Sequence, residues 1–272
     1  MIERFIGSLF LFIFYALFAF SNIVAIIGIF NLIYFRKAKS EPLISEKEEA
    51  LVSILIPARN EQENIKRCLY SLFDQDYNNI EIIVLDDESD DDTFSLVKKI
   101  SQEDNRLRVV KGTSVPKSWT GKNWACHQLS KLAKGDFYLF VDADTKLQAT
   151  LINETISEMK RSDIDLISLF PKRITSTLVD KIISITIGWL IFSCLPLLLA
   201  NKNPMFSSAF GQFLLFRRGA YKSIGGHEGI KSKILDDFEL GRSITRNGLV
   251  LKLFDGTDRI STFSYSSEKE AL

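Results

Sequence analysis

Hydrophobic positions along the chain fall into two regimes: one long unbroken run at the front, then short apolar runs alternating with amphipathic stretches. From Phe5 to Phe35 no residue is charged. As a helix rising about 1.5 Å per residue, that run exceeds the roughly 30 Å hydrocarbon core of a bilayer, which predicts a membrane anchor over 1–39. It is too long for the apolar region of a cleaved leader. Ser21 and Asn22 interrupt it, leaving open two short segments or one tilted helix. Arg36, Lys37 and Lys39 follow directly, whereas Arg4 in front is balanced by Glu3. The positive-inside rule therefore puts the rest of the chain on the cytoplasmic side of the cell membrane. Residues 40–50 are polar and carry a proline, as a linker does, and a globular domain is expected over 51–272.

In that domain the pattern becomes regular. Leu51 to Pro57 predicts a strand, and Asn60 can cap a helix from Glu61 to Phe73 whose Ile65, Cys68, Leu69 and Leu72 share one face. Strands follow at Ile80 to Leu85 and Leu107 to Val110, with a helix between them at Thr93 to Ser101. A helix at Trp124 to Lys134 then leads into a buried strand, Phe137 to Val141. A further strand (Gln212 to Phe216), a Gly225-Gly226 turn, a helix from Asp236 to Arg246 and a strand at Leu251 to Phe254 complete the alternation. The pattern predicts an α/β fold with a parallel sheet between helices.

The stretch 182–200 is almost as apolar as the first run, with Pro196 near its end. Hydropathy suggests a second span, but one crossing would separate Asp144 from Asp237 across the membrane. If the two share a site, the stretch is either buried in the protein or lies in the cytoplasmic interface, as a re-entrant hairpin for example.

The chain has 34 basic and 34 acidic residues among 272, so no basic surplus exists for a phosphate backbone and nucleic acid is excluded as a partner. Cys68, Cys126 and Cys194 show no paired spacing, and His127 and His227 stand alone as surface or loop residues.

Candidate chemistry lies in acidic clusters at strand ends. Asp142-Ala143-Asp144 follows the Phe137 to Val141 strand, where ligands of parallel sheets bind, and carboxylates there can hold a divalent cation on a diphosphate. Alternatively, Asp144-Thr145 caps the next helix. Pro57, Ala58 and Glu61 lie where the first strand turns into a helix, exposing backbone groups and one carboxylate to a base or ribose. Asp86 and Asp87 end the second strand, and such an Asp can accept a hydrogen bond from a uracil ring; a solvated acidic loop is the other reading. The run lacks the glycine and closing glutamate of a calcium loop. In Trp119-Thr120-Gly121-Lys122-Asn123-Trp124, Gly121 permits close backbone approach and Lys122 can offset diphosphate charge; the spacing is not that of a P-loop. Trp119 and Trp124 suit either core packing or ligand contact. Asp236-Asp237 opens a helix, either as charges that suit its dipole or with Asp237 as a general base.

In this order S-I-L-I-P-A-R-N-E, L-D-D-E-S-D-D, V-D-A-D-T and I-L-D-D-F-E-L-G resemble the family 2 glycosyltransferases of GT-A fold over roughly residues 51–255. W-T-G-K-N-W-A-C and F-G-Q-F-L-L-F-R-R are similar to the membrane-attached branch that includes diaponeurosporenoate and hopene-associated glycosyltransferases. The resemblance implies a Rossmann-like, mostly parallel sheet with flanking helices behind an N-terminal transmembrane helix. It implies Asp86 and Asp87 at the nucleotide base, Asp142 near ribose and diphosphate, Asp144 with Asp142 on Mg2+ or Mn2+, Lys122 on the donor, and Asp237 as base. Asp236 stands where the family has Glu. That branch continues into an amphipathic segment and further membrane helices, which the last residues here do not resemble, so a C-terminal membrane part is expected to be missing.

The expected reaction is an inverting transfer from a nucleotide-sugar, a UDP-sugar in the first instance, to a lipid or isoprenoid acceptor such as a carotenoid acid. A polyprenyl-phosphate sugar transferase and an inactive nucleotide-binding membrane protein are the alternatives.

Overall fold

The computed structural model describes residues 2–37, 50–175, 177–200 and 203–263. The expected linker, apart from Ala50, and the C-terminal residues on which a missing membrane part was inferred lie outside these residues.

The first apolar run is one helix, α1 (Ile2–Lys37). Ser21 and Asn22 do not break it, because both side chains donate to the carbonyl of Phe18, at 2.9 and 2.7 Å, within the helix itself. Among the described residues α1 is the one helix long and apolar enough to cross a membrane, with a mean hydropathy of 2.4.

Beyond it, β1 (Val52–Ala58), α2 (Ile65–Phe73), β2 (Ile80–Asp86), α3 (Thr93–Ile100), β3 (Leu107–Lys111), α4 (Gly121–Leu132) and β4 (Phe137–Val141) alternate as expected. Two helix starts differ. α2 begins at Ile65 rather than at Glu61, because Asn60 is not its cap: Asn60 has a φ of 56° and its side chain accepts from the Asp90 amide at 2.8 Å. α4 begins at Gly121, capped by Thr120, so Lys122 lies within its first turn.

Next come β5 (Thr145–Leu147), α5 (Leu151–Arg161), β6 (Leu166–Phe170) and β7 (Lys172–Ile174), of which α5 buries Leu151, Ile152, Thr155, Ile156 and Met159 at helical spacing. Asp144 therefore precedes a strand, and the reading of Asp144-Thr145 as a helix cap does not hold. Then come α6 (Leu178–Cys194), a 3-10 turn at Leu197–Leu199, β8 (Phe213–Arg217), α7 (Arg218–Ser223), α8 (Gly226–Gly229), α9 (Asp236–Arg246), β9 (Leu251–Asp255) and β10 (Ile260–Phe263).

The main sheet has seven strands in the order β3-β2-β1-β4-β8-β6-β9. It is mostly parallel; β8 alone runs against its neighbours β4 and β6. A second sheet, β5-β10-β7, flanks it. Successive β1 side chains point to opposite faces, so Ile54 and Ile56 join α2, α3 and α5 in one core while Leu55 joins α4 and α9 in the other.

Helix α6 does not hide its apolar residues in the protein interior. Leu178 is 73 % exposed, Ile185 63 % and Trp189 59 %, while the helix packs along α1. His227, expected at the surface or in a loop, is buried in α8 and bonded to the Tyr221 hydroxyl at 2.8 Å. Gly226 enables this turn: its φ is +51°, and a Cβ there would lie 2.5 Å from the Tyr221 ring.

Candidate active site

Strand register brings the distant acidic clusters together. Parallel pairing aligns Ala58 with Asp86, so the ends of β1 and β2 coincide, and the Asp87 amide donates to the Ala58 carbonyl at 2.8 Å. Antiparallel pairing of β4 and β8 sets Val141 opposite Phe213, which places Gly211 beside the acidic triplet that follows Val141. The Gly211 amide in turn donates to Oδ2 of Asp237 at 3.0 Å. Asp142 and Asp237 thus approach one crevice although 95 positions separate them.

Lys122 ties the crevice together. Its Nζ lies 2.9 Å from Oδ1 of Asp142 and 3.7 Å from Oδ2 of Asp236. Its side chain is 42 % exposed. Enclosure by the protein opposes the charge, but Asp142 and then Asp236 outweigh it and hold the ammonium protonated well above the usual lysine range. A Cβ at Gly211 would sit 3.4 Å from Lys122 Nζ and 3.5 Å from Asp237 Oδ2, so a glycine lines the space between cation and carboxylate.

Three carboxyl groups are raised above the usual carboxylate range. Burial pushes Asp237 up to about 6, helped by the Asp236 charge and opposed by the Phe238 amide, Lys122 and the Gly211 amide. Burial and then the Asp142 charge raise Asp144 to about 6, against the Thr145 hydroxyl and Lys122. Glu61 rises to about 7, first through burial, against the Asn64 hydrogen bond and with Asp144, Asp142 and Asp91 adding to it. The two ends of the site therefore carry separate excesses of carboxylate: Asp236 with Asp237, and Glu61 with Asp142 and Asp144.

At the other side, Asp86 and Asp87 are buried, and Oδ1 of Asp86 has no hydrogen-bond partner. An orphaned buried carboxylate oxygen is costly unless a ligand donor meets it. Asp87 is raised by burial, against Arg59. Gly121 does permit close approach: a Cβ there would lie 3.3 Å from Asp87 Oδ2. Pro57 and Ala58 end β1 beside this pair.

Several contributors had no clear sequence signal. Asn123 is fully buried and donates to the carbonyls of Ile230, Lys231 and Lys233 at 3.0, 3.3 and 2.9 Å. With the Thr120 amide on Lys231, it stitches the loop before Asp236 to the start of α4. The available clue was an Asn in the buried stripe that α4 shares with Cys126 and Leu129. Trp119, Trp124 and His127 form a ring cluster with centroids 4.9 to 5.6 Å apart, in which Trp124 stacks on His127 and Trp119 meets Trp124 edge-on.

Among the described residues no three carboxylate, imidazole or thiol groups form a cage for a metal ion. The donor set still fits a hard divalent cation, because Mg2+ and Mn2+ are held by one or two carboxylates and complete their shell with water and substrate phosphate. Asp144 and Asp142, two positions apart after β4, are carboxylates that could serve in this way.

Solved structures share this fold. The mannosyltransferase PcManGT from Pyrobaculum calidifontis, in complex with GDP-Man and Mn2+, superposes with a TM-score of 0.64 at 18 % identity, covering 92 % of this chain and 68 % of that one. S. aureus TarS 1-349 in complex with UDP gives 0.56 at 20 %, covering 78 % and 60 %. Sheet order and crevice define a GT-A fold. Residues 53–225 match the model of glycosyl transferase family 2, and the chain belongs to that family. It is 29 % identical over 251 residues to the 4,4'-diaponeurosporenoate glycosyltransferase of Staphylococcus aureus (strain USA300), covering 90 % of this chain and 63 % of that protein. Its counterpart in Staphylococcus haemolyticus (strain JCSC1435) is 27 % identical over 223 residues, with 79 % and 57 % covered. The chain thus spans about three fifths of the length of these relatives.

Proposed function

We propose that the protein is an inverting glycosyltransferase that moves a sugar from a nucleotide-sugar to a lipid-borne acceptor at the membrane. The observation that carries this is the meeting of Asp142, Lys122, Gly211 and Asp237 in one crevice at the strand ends. Asp86, with its unpartnered oxygen, and Asp87 receive the base of the donor, a UDP-sugar in the first instance. Pro57, Ala58 and Glu61 border it, and Lys122 balances the diphosphate charge. Asp144 with Asp142 would hold Mg2+ or Mn2+, which when bound stabilises negative charge on the departing diphosphate.

The acceptor oxygen attacks the anomeric carbon, the bond from that carbon to the diphosphate oxygen breaks, and Asp237 takes the acceptor proton. Amides of Gly211 and Phe238 fix one oxygen each of the Asp237 carboxylate, at 3.0 and 2.8 Å. With a pKa near 6 that group is ionised at neutral pH yet a better base than an ordinary Asp. The relatives whose name specifies diaponeurosporenoate support an isoprenoid acid as acceptor. Such an acid arriving from an apolar layer stays protonated, because charge is disfavoured there, and so still needs a base.

The apolar length of α1 supports a membrane anchor, and the Arg36, Lys37 and Lys39 cluster supports a cytoplasmic catalytic domain. The exposed apolar residues of α6 beside α1 fit a helix lying in the lipid interface. The test is a panel of UDP-sugars and other nucleotide-sugars with the detergent-extracted protein, with and without Mn2+, in the presence of carotenoid acids, glycerolipids and polyprenyl phosphate. Transfer that Asp237→Asn lowers by about 10²- to 10⁴-fold, with donor binding intact, is expected. Transfer unaffected by that substitution would remove Asp237 from its role.

A further inference from the structure

Among the described side chains of α1 one polar group is fully buried, that of Asn31. Its amide nitrogen donates to the carbonyls of Phe192 and Leu195, both at 2.7 Å, and its oxygen accepts from the Leu197 amide at 3.0 Å. Those three groups are among those that the end of α6 leaves without helical partners. The carbonyl of Phe192 would meet the amide of residue 196, but Pro196 has no N–H. The amide of Leu199 turns back to Pro196, which leaves the carbonyl of Leu195 open as the 3-10 turn begins. One side chain from the N-terminal helix thus meets three backbone groups of the break.

The segment fixed in this way leads straight to the candidate base. Leu197, Ala200, Ala209, Phe210, Leu240 and Ile244 belong to one buried core, which joins the 3-10 turn to α9. The Ser207 hydroxyl donates to the Ala200 carbonyl and bonds Thr245 of α9, at 2.5 and 2.7 Å. A shorter route runs through aromatic rings. Phe192 lies edge-on to Phe170 at 5.6 Å, and Phe170 edge-on to Phe210 at 5.1 Å. Phe210 is itself held by Ser168, whose hydroxyl accepts from its amide at 2.7 Å, and the next residue is Gly211 with its amide on Asp237. Each link is a hydrogen bond with defined geometry or a contact between buried or partly buried groups, so a change at the first has little slack in which to dissipate.

We propose that Asn31 is a positioning residue: through a single buried amide, the N-terminal apolar helix sets the segment that carries Gly211 and so orients Asp237. The N-terminal helix is then part of the machinery on the acceptor side as well as an anchor. The functional half of this proposal rests on the reading of Asp237 as the base; the structural half does not.

The experiment compares the full detergent-extracted chain with Asn31→Leu, which keeps the size but removes the hydrogen-bonding amide, and with Phe170→Leu, which cuts the ring pathway without altering α1. Hydrogen exchange is read by peptide, and transfer kinetics are read alongside Asp237→Asn. Positioning predicts that amides of 207–212 and 236–238 exchange on the order of 10-fold faster in both variants, while those of β1 and β2 are unchanged. It also predicts kcat lower by about 10-fold with the donor KM within about twofold, since a misplaced base affects the chemical step rather than donor binding. Faster exchange confined to 192–199 in Asn31→Leu, with kcat unchanged, would reduce Asn31 to a local cap and overturn the proposal. Retained transfer in Asp237→Asn would instead overturn the base assignment, and the exchange result would still decide whether Asn31 reaches Gly211. If Asn31→Leu fails to fold, Phe170→Leu decides: exchange at 207–212 that stays at the wild-type rate overturns the coupling.

Discussion

The amide of Gly211 donates to Oδ2 of Asp237 at 3.0 Å, joining the start of β8 to the first turn of α9 across 26 positions of sequence. A side chain at 211 would stand between Lys122 and Asp237. Gly211→Ala is therefore expected to fold normally, since no positive φ is required there. It should lower transfer by about 10- to 100-fold by displacing the carboxylate. Steady-state kinetics with the preferred donor check this.

Activity should fall on the acid side with a midpoint near pH 6. Asp237 acts as base only when ionised, and burial together with Asp236 raises its pKa to about 6. A pH profile of kcat/KM measured in the free-enzyme regime tests the point. An acid limb at the ordinary Asp position, near 4, would detach Asp237 from the rate.

Divalent-ion binding should strengthen as pH rises from about 5 to 7.5, because Asp144 must lose the proton that burial and Asp142 make it hold. Asp144→Asn should weaken Mn2+ and nucleotide binding together, by about 10-fold or more. Titration calorimetry with UDP, with and without Mn2+, measures both.

Stability carries a separate pH signature from His227. Burial, then Lys122 and His127, press its pKa down to about 3, so the native ring is neutral. Below pH 6.5 the unfolded chain takes up a proton that the native state refuses. The stability tied to this group is thus whole above pH 6.5 and is lost as pH falls toward 3, by about 1.4 kcal/mol between pH 7.5 and 5.5. Replacing His227 by Asn should remove that part of the pH dependence. Tyr221→Phe, which takes away the hydroxyl bonded to the ring, should cost about 1 to 3 kcal/mol at neutral pH. Chemical denaturation in detergent reads both.

Much of the first half of the fold was legible because its apolar runs are continuous and its buried helix positions recur at helical spacing, as with Ile65, Cys68, Leu69 and Leu72. The second half was less so. β5, β7 and β10 have three or four residues each, too few to show a period, and α6 is apolar nearly all round. Asn60 misled because its side chain found a partner in the Asp90 loop, a non-local alternative that no cap preference anticipates.

Sequence alone determined the family, the order of the acidic clusters and the apolar length of α1, since these depend on residue type and on spacing within a single element. Only the tertiary structure decided that Lys122 pairs with Asp142, that Gly211 holds Asp237 and that Asn31 bonds the end of α6. Each of those contacts joins groups far apart in the chain. The first two are set by how neighbouring strands register and how helices dock against them, and the third by a backbone break whose unmet hydrogen bonds find a partner only when α1 and α6 lie side by side.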